Sequence, residues 1–155
     1  MTEHERFVRE AVALSREALA RGDGPYGAVL VRGGEVVARA RNTTAADGDC
    51  TRHAELNLLV DAQHRLDADA LVECGLYTST EPCAMCAGAV HWAGVGSVVF
   101  GCSVERQVAV LGGGLAVPCR TVFAASDRRI DVTGPVLEDE AAAVLAESVA
   151  QQDEG

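Results

Sequence analysis

Over residues 3–20 apolar positions recur with a helical period. Phe7, Val8, Ala11, Val12, Leu14, Ala18 and Leu19 fall near i, i+3, i+4 spacing with Glu and Arg between them, which predicts an amphipathic helix ended by Gly22-Asp23-Gly24-Pro25. The period then shortens to that of strands. Gly27-Ala28-Val29-Leu30-Val31 and Val36-Val37-Ala38-Arg39-Ala40 flank Arg32-Gly33-Gly34-Glu35, the pattern of a hairpin closed by a Gly-Gly turn. From Asn42 to Arg52 the chain has Thr, Asp and Gly without apolar rhythm and reads as a loop. A second helix is expected from about His53 to Arg65, with Leu56, Leu59 and Val60 turned inward.

Leu76-Tyr77-Thr78-Ser79-Thr80 predicts a buried strand, Pro82 suits the first turn of a helix running to about Ala93, and Ser97-Val98-Val99-Phe100-Gly101 predicts the next strand. Such a crossover lays its two strands parallel with a right-handed connection. Beyond it the pattern weakens. Glu105 to Leu111 reads as a short helix, Gly112-Gly113-Gly114 as a flexible turn, Arg129-Ile130-Asp131-Val132 as a last strand and Leu137 to Ala150 as a closing helix, with a frayed end over 151–155. This order specifies an α/β layered architecture with a mixed sheet, and 155 residues suit one domain, residues 1–155.

Composition narrows the partners. The formal charge is −10 and all 13 basic residues are Arg, so the surface repels phosphates; nucleic acid and anionic membranes are disfavoured and small neutral ligands favoured. No apolar run approaches the ~18 residues of a membrane span. Residues 1–10 carry His4, Glu5, Arg6, Arg9 and Glu10 where a secretory signal needs an apolar core. A cytoplasmic protein with six reduced cysteines is therefore expected.

The chemistry concentrates in His53-Ala54-Glu55 and Pro82-Cys83-Ala84-Met85-Cys86. One imidazole and two thiols three positions apart suit Zn²⁺ better than Mg²⁺ or Ca²⁺, and three ligands leave one corner of a tetrahedral ion open. Zinc lowers the pKa of water bound at such a corner from ~15.7 toward ~7. Glu55 stands two residues from His53, where a carboxylate can carry protons to and from that water. Residues two apart on a regular helix point apart, so His53 and Glu55 share a site only if His53 lies at the irregular helix entry. The alternative is a closed structural zinc with Cys50 or Cys102 as fourth ligand, a site that has no use for Glu55. Without a ligand partner at short spacing, Cys50, Cys74, Cys102 and Cys119 read as ordinary residues, and His4 and His64 as solvent-facing.

These residues form the H-x-E…P-C-x-x-C signature of zinc deaminases, and the sequence from about Glu5 to Phe100 resembles the cytidine deaminase-like superfamily. The stretch Tyr77-Thr78-Ser79-Thr80-Glu81-Pro82-Cys83-Ala84-Met85-Cys86-Ala87-Gly88-Ala89 is similar to its guanine deaminase and tRNA adenosine deaminase branch. The resemblance implies a three-layer αβα sandwich around a mixed five-stranded sheet and a homodimer. It implies Zn²⁺ on His53, Cys83 and Cys86, with Glu55 as proton shuttle. It also implies substrate contacts at Asn42, Tyr26, Ala54 and Trp92; His91, from its place beside Trp92, is a further pocket candidate. The expected reaction is hydrolytic deamination of a free base, guanine to xanthine and ammonia, with guanosine, a cytosine-type pyrimidine or an aminotriazine as alternatives. A tRNA adenosine deaminase would need a basic groove, and a silent zinc-binding module would have no use for Glu55. From Cys102 onward the resemblance stops. An acidic residue of the tail, Glu138 or Glu140, is a candidate to reach the pocket.

Overall fold

The computed structural model describes residues 1–154. Helix α1 (Glu3–Ala20) opens on a capping box: Thr2 Oγ1 accepts the Glu5 N–H, and the Glu5 carboxylate accepts the Thr2 N–H. Phe7, Val8, Ala11, Val12, Ser15 and Ala18 form its buried face. Strands β1 (Gly27–Arg32) and β2 (Glu35–Arg41) pair antiparallel across Gly33 and Gly34, whose φ values of 59° and 78° suit the turn a tight hairpin needs. Gly27 is required for a different reason: a Cβ there would run into the Ala11 carbonyl, so α1 could not lie on β1.

After α2 (Thr44–Asp47), α3 (Ala54–Arg65) and α4 (Ala68–Val72), strand β3 (Gly75–Thr80) pairs antiparallel with β1. Helix α5 (Ala84–Ala93) crosses to β4 (Ser97–Cys102), parallel to β3. Helices α6 (Val104–Leu111) and α7 (Cys119–Ala124) precede β5 (Asp131–Thr133), also parallel, and α8 (Glu138–Glu154). The sheet order is β2-β1-β3-β4-β5, the expected mixed five-stranded sheet.

Alternation along the strands sorts residues into two cores. Ala28, Leu30, Leu76, Val98 and Phe100 face α3, α5 and α7, where Leu58, Leu59, Val90 and Phe123 meet them. Val29, Val31, Tyr77 and Val99 face α1 and α8, where Phe7, Val8, Val144 and Leu145 meet them. Each fully buried Val, Leu or Phe contributes about 1.5–3 kcal/mol, so neither helical layer can be shed. The αβα sandwich follows from a sheet that is apolar on both sides.

Five expectations need correction, the first being the frayed end: residues 151–154 continue helix α8, and Gly155 lies outside the described residues. Residues 42–52 contain the short helix α2, because the Asp23 carboxylate, 7 % exposed, accepts the Ala45 and Ala46 N–H groups and holds its first turn. Helix α4, over a stretch with no assigned element, starts at Asp67, whose side chain accepts the Ala70 N–H. The buried stripe of α3 is Ala54, Leu58, Leu59 and Ala62, while Val60 is 45 % exposed. Pro82 precedes helix α5 instead of opening it, and Cys83 is the N-cap.

Candidate active site

Helix α3 begins at Ala54, and His53 stands just outside it with extended backbone, φ −66° and ψ 154°. This is the irregular entry that the spacing demanded, and it lets His53 and Glu55 line the same cavity. Cys83 occupies the equivalent place before α5, at φ −68° and ψ 173°, with Cys86 one turn inside the helix. Both segments deliver donors at helix N-termini, where unpaired N–H groups and the dipole favour thiolate over thiol.

The three donors converge. His53 Nδ1 lies 3.7 Å from Cys83 Sγ and 3.6 Å from Cys86 Sγ. Zn–N and Zn–S bonds of about 2.0 and 2.3 Å at a tetrahedral ion put those atoms about 3.6 Å apart, so the donor set fits zinc in type and spacing. Among the described residues no further His, Cys or carboxylate joins the group. Cys50 is exposed elsewhere, and Cys102 Sγ turns to the Ser103 carbonyl at 3.5 Å.

Before a metal binds, the group shares its protons unevenly. The Cys86 thiol beside it and the His53 ring hold Cys83 down to about 4, against the effect of burial. Cys86 is correspondingly held far up by the Cys83 sulfur and burial. Cys83 raises the pKa of His53. Glu55, only 6 % exposed, is pushed up to about 7 by burial and by the negative Cys83. In the metal-free chain that carboxyl exchanges its proton near neutrality.

A cavity of 240 Å³ opens in front of these groups, lined by Gly24, Tyr26, Asn42, Thr44, His53, Glu55, Thr80, Glu81, Cys83 and Gln107. Asn42 is 3 % exposed, and its Oδ1 accepts the Thr44 N–H at 3.0 Å and the Thr44 hydroxyl at 2.9 Å. A backbone N–H only donates, so the oxygen is locked toward Thr44 and the Nδ2 amide turns to the opposite side. Tyr26 forms part of the wall, with its phenol pushed up to about 12 by burial, so it stays protonated. Ala54, expected as a substrate contact, is not among the residues lining the cavity; it is buried at the first position of α3, between His53 and Glu55 which do line it, where a helix N–H has no intrahelical partner.

A family model describing the zinc-binding region of cytidine and deoxycytidylate deaminases matches residues 1–102. The chain belongs to this deaminase family. A relative in Schizosaccharomyces pombe described as a probable cytosine deaminase is 35 % identical over 143 residues, 87 % of this chain and 85 % of that protein. The guanine deaminase of Bacillus subtilis is 44 % identical over 91 residues, 58 % of each chain. The solved structure of a guanine deaminase from Nitrosomonas europaea superposes with a TM-score of 0.83 at 31 % identity, covering 94 % of this chain and 84 % of that one.

Sequence reasoning missed five cavity residues of this deaminase-family chain, Gly24, Thr44, Thr80, Glu81 and Gln107. Glu81 is buried and accepts the Val104 N–H at 3.0 Å and the Cys119 N–H at 2.7 Å. Its position before Pro82 was visible, but its partners lie 23 and 38 residues away. Thr80 Oγ1 is buried with no hydrogen-bond partner among the described residues. Such a group costs about 1–3 kcal/mol, a burden that calls for a functional reason. Gln107 lies beyond the matched stretch, in a helix whose sequence shows only its period.

Trp92 does not line this cavity: it sits nine residues beyond Cys83, about 13 Å along the helix axis, and is 84 % exposed. His91 is also outside it, with Nδ1 2.7 Å from Ser126 Oγ. The tail acids do not reach it either. Glu140 pairs with Arg9 at the surface, and Glu138 accepts the Ser103 N–H at 2.8 Å.

Proposed function

We propose that the chain hydrolytically deaminates a free aminated base, with guanine to xanthine and ammonia as the leading reaction. The observation that carries this reading is a buried Glu55 sharing one 240 Å³ cavity with a three-donor metal group. His53, Cys83 and Cys86 would hold Zn²⁺, which supplies an activated water when bound. Glu55 carries the two protons of the attacking water in turn, the first to a ring nitrogen as the C–O bond forms and the second, from the added hydroxyl, to the amine, which leaves as ammonia as the C–N bond breaks. Asn42 donates through Nδ2 to an acceptor on the ring edge, Tyr26 forms one wall, and the Ala54 N–H is a further donor at the start of its helix. The cavity is of a size for one ring system.

A cytosine-type pyrimidine is the second reading, supported by the S. pombe relative matched over 85 % of its length. A formal charge of −10 weighs against a tRNA substrate. Among the described residues no helix is long and apolar enough to cross a membrane, and all six cysteines are free, which suits a reducing cytoplasm. Exposed Trp92 and Leu115 are surfaces a homodimer would cover.

The test is ammonia release by zinc-loaded protein from guanine, guanosine, cytosine, an aminotriazine and an anticodon stem-loop RNA. Guanine is expected to turn over fastest. Release from none of them ends the enzyme reading.

A further inference from the structure

Gln107 enters the cavity from α6, outside residues 1–102 that the family model matches. The start of that helix is fixed from three sides. Ser103 Oγ accepts the Arg106 N–H, Glu81 accepts the Val104 N–H and Glu138 accepts the Ser103 N–H. Gln107 lies one turn on, and its Nε2 donates to the Tyr26 hydroxyl at 3.0 Å, a contact between residues 81 positions apart. A solvated surface glutamine makes no such contact.

An amide has two ends. One N–H of Nε2 is given to Tyr26, whereas the second N–H and Oε1 have no partner among the described residues and belong to a side chain on the cavity wall. Gln107 also borders a second, largely apolar cavity of 270 Å³ that includes Met85 and Val108. It therefore stands at the boundary of the polar half of the site. Asn42, locked by Thr44, presents a donor; Gln107, held through Nε2 by the Tyr26 hydroxyl, leaves its Oε1 as the acceptor on the wall.

We propose that Gln107 determines specificity, accepting through Oε1 a hydrogen bond from an N–H of the bound ring. The inference rests on the deaminase reading above. It narrows the substrate class to aminated heterocycles that offer an acceptor on one edge and an N–H on another. A ring N-alkylated at that second position loses the bond and is bound more weakly.

The experiment compares wild type with Gln107→Met, which keeps length and removes both polar atoms, on the panel base that wild type turns over fastest and on its N-methyl derivatives. Zinc content and melting temperature are measured alongside, and the Kd of 8-azaguanine gives a readout independent of turnover. Gln107→Met is expected to raise KM and that Kd about tenfold, the effect of one hydrogen bond, with kcat and zinc content within about twofold. For one N-methyl derivative the ratio of wild type to variant should collapse toward one. Unchanged KM, or an equal loss on every derivative, overturns the assignment of Gln107 while leaving the deaminase reading intact. A wild type that neither binds 8-azaguanine nor releases ammonia removes that reading first, and this inference with it.

Discussion

The cavity is walled by two regions built in different ways. Up to Cys102 the chemistry sits at the starts of α3 and α5, two helices laid against the sheet, with their entry residues His53 and Cys83 facing each other. After Cys102 the wall comes from α6, which packs on α8, while α7 packs on α5; both are tied back to the motif by the Glu81 carboxylate. The first region places donors by secondary structure, where a helix start fixes direction to within a few degrees of freedom. The second places Gln107 through side-chain hydrogen bonds of long range. On the proposed reading, chemistry therefore depends on the first, and recognition is divided between both.

The sharpest way to break that division is in the first region. Cys83→Ala removes a metal donor at the N-cap position of α5, where the side chain makes no capping hydrogen bond; zinc content by metal analysis should fall to background and ammonia release with it. Glu55→Gln should instead keep zinc at the wild-type level while kcat falls by about 10²–10⁴-fold, the range for a lost proton carrier. Equal metal loss in both variants would make Glu55 a ligand. The same variant carries a pH signature in metal-free protein. A carboxyl raised from 4.5 to about 7 by burial binds its proton more tightly in the folded state. Its contribution to stability is complete below pH 4.5 and is lost as pH rises through about 7. Wild-type melting temperature should fall across that window relative to Glu55→Gln; parallel curves would show that the carboxyl is not shifted.

How far each region could be read from sequence follows from the same contrast. His53, Glu55, Cys83 and Cys86 were legible because metal chemistry restricts residue type and spacing at once, and the strands were legible because both faces of the sheet are apolar. The phase of α3 was not, since Leu56, Leu58, Leu59 and Val60 are all apolar and only packing selects Leu58 over Val60. Helix α2 depends on Asp23, some twenty residues earlier. Glu81 and Gln107 depend on partners at similar or greater distances. Local pattern carries no trace of such contacts. Trp92 was drawn into the site by resemblance alone, and distance along α5 removes it from the cavity of its own chain.

An intermediate effect is expected where the two regions are joined. Glu81→Gln turns an amide NH₂ toward one of two backbone N–H donors, leaving either Val104 or Cys119 without its acceptor. The cost should be about 2 kcal/mol, on the order of 5 °C in melting temperature for a chain of this size. Because α6 carries Gln107, KM should rise more than kcat falls. Hydrogen exchange can locate the damage: faster exchange over α6 and α7 with β1 and β3 unchanged is the expected pattern. Uniform loosening would mean that the two regions fold as one unit and that the contrast between them is superficial.

The smallest effect is expected at Trp92. Its ring is exposed and touches His91 edge-on, with centroids 4.7 Å apart. Removing it costs little core packing, so Trp92→Ala should change folding stability by less than about 0.5 kcal/mol. If the pocket is complete within one chain, KM and kcat should stay within about twofold of wild type. If copies pair through the apolar outer face of α5, sedimentation should show a weakened dimer, because an exposed tryptophan is the kind of anchor that interfaces use. A rise in KM that follows dissociation would instead mean that Trp92 completes a neighbouring chain's cavity. In that case the wall after Cys102 is only part of what the first region lacks.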